Sequence, residues 1–380
     1  MASFDFNRIG PDDPAGRVLR RAWQPVYIAE KLGAGKAAPL RILGEDFTLY
    51  RGASGAPYVV ASRCAHRAAL LSTAWIEGEE VRCLYHGWRY DGAGQCTEQP
   101  AEKRSFADRV RISAWPAREH LGLIFVYFGD GEPPPLVELD AYSGADGFVE
   151  AKASVRSWPF FNQLENSVDE VHFNFTHRTS CFTDAGLNDV IPDIDCEETE
   201  YGILRIGRRG KVMRKSHIIM PNCMYSMVVD ALGGWTEHLA WRVPVDEASH
   251  VTFGVNFIHR TGADREAYNE ARKQQRARMQ GLEGADAVID RVLRGEIHLD
   301  DVPADRPDLL LIQDGVVMKG QGVRRNRTDD VLAASDRQVV MLRRLWNSEM
   351  EAAADNRPGR RWRVPRDLVP TSGAAADASE

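Results

Sequence analysis

Four residues constrain this chain more than any others. Residues 64–66 read Cys-Ala-His and residues 83–86 read Cys-Leu-Tyr-His, so a Cys-x-His pair is followed, sixteen residues on, by Cys-x-x-His. Two thiolates and two imidazoles in paired spacing suit either tetrahedral zinc or a two-iron cluster. A common zinc finger places both cysteines first and both histidines last. Here each short loop supplies one of each, which lets the cysteines hold one iron and the histidines the other. The surroundings read as β structure. Residues 18–30 suggest a helix that breaks near Pro25 and then an extended entry. Residues 40–62 alternate, turn at GASGAP and return as a hairpin, and short strands with Gly-rich turns continue to about residue 130.

These residues resemble the Rieske iron–sulfur family. The match rests on Cys64, His66, Cys83 and His86, with Gly87 and Trp88 following as in its oxygenase branch. Respiratory Rieske proteins brace the two loops with a further cysteine pair. This chain has Ala68 and Ala69 after the first loop and Leu84 and Tyr85 inside the second, which favours the oxygenases. The resemblance implies a 2Fe–2S cluster whose histidine ligands raise its potential above that of all-cysteine ferredoxins. Cys96, Cys181, Cys196 and Cys223 lie outside the pattern and read as small buried hydrophobes.

A Rieske domain needs only about 100 residues, the size of one ordinary domain. The remaining length draws attention to DEVHFNFTHR, residues 169–178. His172 and His177 are five apart, which on an ideal helix separates them by about 140°. Together with Asp169, and preceded by Glu165-Asn166, they resemble the Asp-x-x-His-x-x-x-x-His signature of the catalytic domain in ring-hydroxylating Rieske oxygenases. The resemblance implies a mononuclear non-haem Fe(II) held by His172, His177 and a distant carboxylate, with the opposite face open. Asp314, in LIQDGVVMKGQG, is the expected third ligand, with Asp300, Asp301 and Asp308 as nearby alternatives. Asp169 is expected not to bind metal. It would orient His172 and reach His86 of the partner subunit as an electron bridge. The spacing leaves two local readings: a π-type bulge between the histidines, or a helix that ends near Asn174 and lets His177 enter from the turn. In either, Asp169 would share a helix face with His172.

The resemblance implies an α+β chain: an all-β Rieske domain, then a catalytic domain of antiparallel sheet covered by helices, of the helix-grip type. The expected division is residues 1–20 packing with the catalytic domain, 21–135 the Rieske domain, 136–356 the catalytic domain and 357–380 a loose tail. The Pro-rich run at 133–135 marks the junction, residues 263–284 read as a polar helix, and a last helix follows from residue 336.

A net charge of −7 with scattered basic residues argues against nucleic acid. No apolar run reaches bilayer length, and the acidic, Pro-containing start is unlike a secretory signal, so a cytoplasmic protein is expected. The resemblance implies a terminal oxygenase using O2 and electrons from an NAD(P)H-dependent reductase, with or without a ferredoxin. Its ring of identical chains would be a trimer or stacked trimers. Its substrate would be an aromatic acid, by O-demethylation or, alternatively, cis-dihydroxylation. Rival readings are a bare electron carrier and a zinc hydrolase. Arg178, Arg205, Arg242 and Lys319 are conceivable anion anchors, and His217 and Asn222 could face the pocket. His120, His238, His250, His259 and His298 read as structural or surface residues.

Overall fold

Gly-rich turns cut the first third of the chain into short strands. In a computed structural model that describes residues 4–143, 146–180 and 188–374, these are β1 Trp23–Ile28, β2 Ala37–Ile42, β3 Glu45–Arg51, β4 Pro57–Ala61, β5 Trp75–Glu77, β6 Glu80–Arg82, β7 Arg89–Tyr90, β8 Cys96–Glu98, β9 Ala114–Trp115, β10 Ala117–His120 and β11 Leu123–Tyr127. They form three small antiparallel sheets, in the orders β1-β11-β10, β2-β3-β4-β9 and β5-β6-β7-β8. The last sheet frames the two Cys/His loops, one before β5 and one between β6 and β7.

Two local readings are corrected here. The helix expected from residue 18 to near Pro25 lies earlier, at α1 Pro14–Arg20, and the extended entry expected after it begins sooner, as strand Trp23–Ile28. Pro25 falls at an irregularity on the outer strand of its sheet, where a missing N–H disturbs the ladder least. The single hairpin expected over 40–62 is two. The chain reverses at Leu43 and Gly44, with φ of 53° and 78°. Leu43 N and Gly44 N donate to the carbonyls of Pro244 and Val245 at 2.8 and 2.9 Å. The turn is thus held by backbone from the other domain, which no local pattern announces.

The second domain is built on a long antiparallel sheet. Its strands are β12 Phe148–Arg156, β13 Asp193–Glu198, β14 Gly202–Arg209, β15 Val212–Ile219, β16 Cys223–Val229, β17 Trp235–Pro244 and β18 His250–Ile258, in the order β12-β18-β17-β16-β15-β14-β13. Side chains alternate across a strand. One face presents Leu239, Trp241, Phe253, Val255 and Phe257, all buried, and Trp241 meets Phe125 of β11 edge-on at 5.4 Å. The other face presents Arg205, Arg209, Arg214, His238, Arg242, His250 and Asn256, in register on adjoining strands. A buried sheet face this polar is not a hydrophobic core; it is the wall of a site.

Helices cover that wall: α2 Phe160–Val168, the short α3 His172–Phe175, α5 Ala285–Leu293 and α6 Leu309–Gly320, with the polar α4 Gly262–Met279 preceding α5 and α7 Arg337–Ala354 following α6. Asn162 Nδ2 ties α2 to α6 by donating to Met318 O at 3.1 Å. Gly315 lets α6 lie close on α5: a Cβ there would come within 2.2 Å of Ile289. From the N-terminal segment Phe6 stacks on Phe161 at 4.0 Å and meets Trp346 of α7 edge-on.

The loose tail expected over 357–380 is also corrected, as far as residue 374. Trp362, Val364 and Leu368 pack on the main core, Arg363 N donates to Glu200 O at 2.9 Å, and β19 Thr371–Ala374 pairs with β15. Pro- and Arg-rich composition suggested looseness, but three apolar side chains and a free strand edge hold the segment. Among the described residues no helix is long and apolar enough to cross a membrane.

Candidate functional site

The two Cys/His loops share one backbone plan. Ala68 N donates to Cys64 O at 3.0 Å, and Cys64 N donates to Ala69 O at 2.9 Å. In the second loop Gly87 N donates to Cys83 O at 3.1 Å, and Cys83 N donates to Trp88 O at 2.9 Å. Each turn needs a left-handed residue four after its cysteine: Ala68 at φ 56° and Gly87 at φ 75°. Cys64 and Cys83 are buried beneath the tip, at 3% and 2% exposure, while His66 and His86 lie nearer the surface with ring centroids 4.5 Å apart. His66 stacks on Trp88 at 4.6 Å, and Tyr90 OH lies 3.1 Å from Cys64 Sγ. His66 Nδ1 is buried without a hydrogen-bond partner among the described residues. An orphaned imidazole nitrogen beside a second histidine and above two buried cysteines fits a cluster ligand set.

The second centre forms where α2 breaks. Val168 ends the helix and Asp169 is extended, with ψ of 124°. The chain then makes one helical turn, α3, and leaves it at Phe175, so His177 enters from the following turn. Of the two local readings it is the second that the chain adopts. The same-face expectation for Asp169 does not hold, because the helix stops before it. His172 and His177 converge with ring centroids 5.2 Å apart. Asp314 Oδ1, from α6, lies 3.2 Å from His177 Nε2 and 3.9 Å from His172 Nε2. Ligand atoms of the three lie within 4.8 Å of one another, and no other group of three or more His, Cys or acidic residues does so among the described residues.

Hydrogen bonds aim each member. His172 Nδ1 faces Asp169 O at 2.8 Å, and His177 Nδ1 faces Gln313 Oε1 at 2.9 Å. With both Nδ1 atoms donating, both Nε2 lone pairs face Asp314, the tautomer a metal needs. Asn166 Nδ2 donates to Asp314 Oδ1 at 3.2 Å, Gln163 Nε2 to Asn166 Oδ1 at 3.1 Å, and Trp158 Nε1 to Gln163 Oε1 at 2.9 Å. Gln163 and Gln313 are functional residues that the sequence alone does not single out; the signals that could have found them are their places one turn before Asn166–Ser167 and next to Asp314. Burial holds His172 below the ordinary imidazole value. Burial would raise Asp314, but the neighbouring His177 keeps it below the usual carboxylate range. An anionic oxygen and two aimed nitrogens fit a divalent cation with one face left free.

Asp169 differs in detail from what the resemblance implied. Its backbone carbonyl, not its carboxylate, holds His172. The carboxylate Oδ1 instead accepts from Val171 N at 2.7 Å and His172 N at 3.4 Å. Beside it Glu170, 1% exposed, meets Arg205, Arg209 and Arg214 at 2.9, 2.8 and 3.5 Å. Burial would raise its pKa, yet the three guanidiniums pull it down to about 2. Arg205 also donates to Asp169 O at 3.3 Å. This buried knot fixes the chain between the helix break and the sheet.

The remaining candidates are dispersed. Asp300 is exposed and 3.8 Å from Arg178, Asp301 caps His298 N, and Asp308 pairs with Arg306. Arg178 lines, with Phe175, Thr179 and Gln313, an open cavity of about 280 Å³. Lys319 pairs with Asp290. His217 bonds Tyr201 OH and Val369 O, and Asn222 bonds Gln24 and Arg242 O; neither contacts the triad. His120 bonds Val137 O and His259 pairs with Glu237. His238 and His250 lie on the polar wall, which their neighbours in sequence did not signal. Cys96 and Cys223 are buried and Cys196 half-buried; Cys181 lies outside the described residues.

Residues 22–116 match the Rieske family, described as the Rieske [2Fe-2S] domain. Over 366 residues the chain is 29% identical to the 5,5'-dehydrodivanillate O-demethylase oxygenase subunit of Sphingobium sp. (strain NBRC 103272 / SYK-6), covering 90% of this chain and 78% of that protein. It is 33% identical over 284 residues to the tert-butanol monooxygenase / tert-amyl alcohol desaturase oxygenase subunit of Aquincola tertiaricarbonis, covering 66% of this chain and 59% of that one. Its fold is similar to that of dicamba monooxygenase bound to dicamba, with a TM-score of 0.67 at 18% identity, covering 89% of this chain and 99% of the other.

Proposed function

We propose that the chain is the large subunit of a Rieske-type oxygenase and that it O-demethylates a methoxylated aromatic acid. The observation that carries the reading is the convergence of His172, His177 and Asp314 beneath a polar buried wall. The O-demethylase and monooxygenase names of the relatives support the choice of reaction. In our reading Cys64, His66, Cys83 and His86 hold the 2Fe–2S cluster, and His172, His177 and Asp314 hold the mononuclear iron. When bound, these groups supply single electrons and the activation of O2.

The chain's own residues contribute in four ways. Asp169 O and Gln313 fix the imidazoles, and Asn166 fixes Asp314, so the three donors occupy one side and leave the other to O2 and substrate. The polar wall of β12, β17 and β18 receives the substrate, and α2, α5 and α6 exclude water from it. Asp169 carries the electron bridge to His86 of the partner subunit, in a trimer or stacked trimers. The loop tip, with Leu84 and Tyr85 exposed beside His86, forms the contact. Overall, the methoxy carbon is hydroxylated; the resulting hemiacetal loses formaldehyde and leaves a phenol. Per turnover one O2, two electrons and two protons are consumed and one water is released. The electrons come from an NAD(P)H-dependent reductase, with or without a ferredoxin, in the cytoplasm.

The test is to supply a surrogate reductase, O2 and a panel of methoxybenzoates, and to measure formaldehyde. Stoichiometric formaldehyde and phenol are expected. Iron-replete protein that consumes reductant but yields neither from any acid overturns the reading. A bare electron carrier would hold only the cluster's iron, and a zinc hydrolase would lack the cluster's visible absorption.

A further inference from the structure

Among the described residues, the wall facing the triad carries two arginines that form no ion pair. On one face, β12, β18 and β17 bring Arg156, His250 with Thr252, and Arg242 into adjoining register. The other cations named on this face have an acidic partner: Lys152 pairs with Glu150 at 2.9 Å, and Arg205, Arg209 and Arg214 share Glu170. Among the described residues Arg156 donates only to Ser154 Oγ, at 2.6 Å, and lies over the Trp158 ring. Arg242 is 8% exposed and donates from Nη2 to Ser167 Oγ at 3.2 Å. Its Nε and Nη1 are buried with no partner among the described residues.

A buried guanidinium left half-bonded is costly unless something completes its shell. Arg242 is well placed for such a ligand. Ser167, which it touches, follows Asn166, the residue that bonds Asp314. Asp314 is an acid whose charge reaches both Arg156 and Arg242. Once a divalent cation takes that charge, Arg242 has no carboxylate left to oppose it among the described residues, and Arg156 keeps only the charge of Asp286. Burial lowers the Arg242 pKa to about 10, which leaves it cationic near neutral pH.

We infer that Arg242, with Arg156 across β18, binds the carboxylate of the substrate and so makes the site selective for an aromatic acid over its neutral counterpart. The inference rests on the oxygenase reading for the location of the chamber. It explains why the wall is polar, since the carboxylate is anchored on β17 while the opposite end of the ring is turned to the triad.

The test compares 4-methoxybenzoate with 4-methoxybenzamide, by calorimetry and by formaldehyde release, in wild type, Arg242→Gln and Arg156→Met. Arg242→Gln keeps a donor for Ser167, and iron content and cluster absorption check that it is intact. Loss of a charge-assisted hydrogen bond predicts acid binding weaker by about 10- to 100-fold, with amide binding unchanged. Arg156→Met is expected to give a smaller loss in the same direction. Equal weakening of both ligands, unchanged acid binding in Arg242→Gln, or a wild type that does not prefer the acid overturns the anion site. Acid that binds through Arg242 without yielding formaldehyde supports the anion site and removes O-demethylation. Acid oxidised as well by Arg242→Gln as by wild type removes the anion site and leaves the oxygenase.

Discussion

Asp169 shows how one residue holds two duties on different atoms. Its backbone carbonyl aims His172, and its carboxylate accepts the amides of Val171 and His172. An asparagine retains the backbone and an oxygen that can accept both amides, but not the charge. Asp169→Asn is therefore expected to keep both iron sites and the melting temperature while turnover falls at least tenfold; unchanged steady-state turnover would remove the bridge. Asp169→Ala also loses the amide contacts, which in a helix-cap setting cost about 1 kcal/mol, so it should melt earlier as well. The metal site divides in the same way. Asp314→Ala is expected to lose the mononuclear iron and keep the cluster absorption. Gln313→Leu removes only the partner of His177 Nδ1, and iron affinity should fall about 10- to 100-fold by equilibrium dialysis. If Asp314→Ala retains its full iron content, the third ligand is another residue.

At the scale of elements, the two cluster loops share one backbone turn, and they differ in the residue at its left-handed position. The left-handed position is Gly87 in one and Ala68 in the other. At Gly87 a Cβ would approach Pro100 Cγ to 2.9 Å, so glycine is required by packing as well as by φ. Ala68 is exposed and makes no such contact. Left-handed backbone costs an L-residue roughly 1 kcal/mol. Ala68→Gly is thus expected to raise the melting temperature of the holoprotein slightly, and Gly87→Ala to lower it and loosen the cluster; calorimetric scans measure both, and a drop for Ala68→Gly would show that the strain is not there. These loops were legible in the sequence because ligand spacing is local. So were the two histidines and, 137 residues beyond His177, Asp314, because the resemblance supplied the long-range partner. Other features depend on contacts between distant segments and leave no periodic trace: the turn at Leu43, the strap formed by residues 357–374, Gln163 behind Asn166, and the unpaired Arg242. The break at Asp169 was half legible: the five-residue spacing excluded a plain helix but could not say which way the chain escapes.

At the scale of the whole molecule, electron transfer poses a geometric demand. Asp169 makes no hydrogen bond or ion pair with a cluster-loop residue of its own chain among the described residues. The loop tip also presents exposed Leu84 and Tyr85 beside His86, an apolar rim that a neighbour would cover. If chains join head to tail in a closed ring, each cluster serves the next chain's iron. Two inactive variants should then rescue each other. His86→Ala loses the cluster but keeps Asp169 and the catalytic triad. Asp169→Asn keeps the cluster but cannot receive an electron at its own iron. In a mixed ring the cluster of an Asp169→Asn chain can feed the triad of a neighbouring His86→Ala chain. Co-expressed at equal amounts and paired at random, about a quarter of the junctions are productive in a head-to-tail ring. Activity near that share of wild type, absent from either variant alone and absent when separately purified oligomers are mixed without exchange, is the expected result. If the cluster served the iron of its own chain, neither partner in the hybrid would hold a complete path, and co-expression would restore nothing.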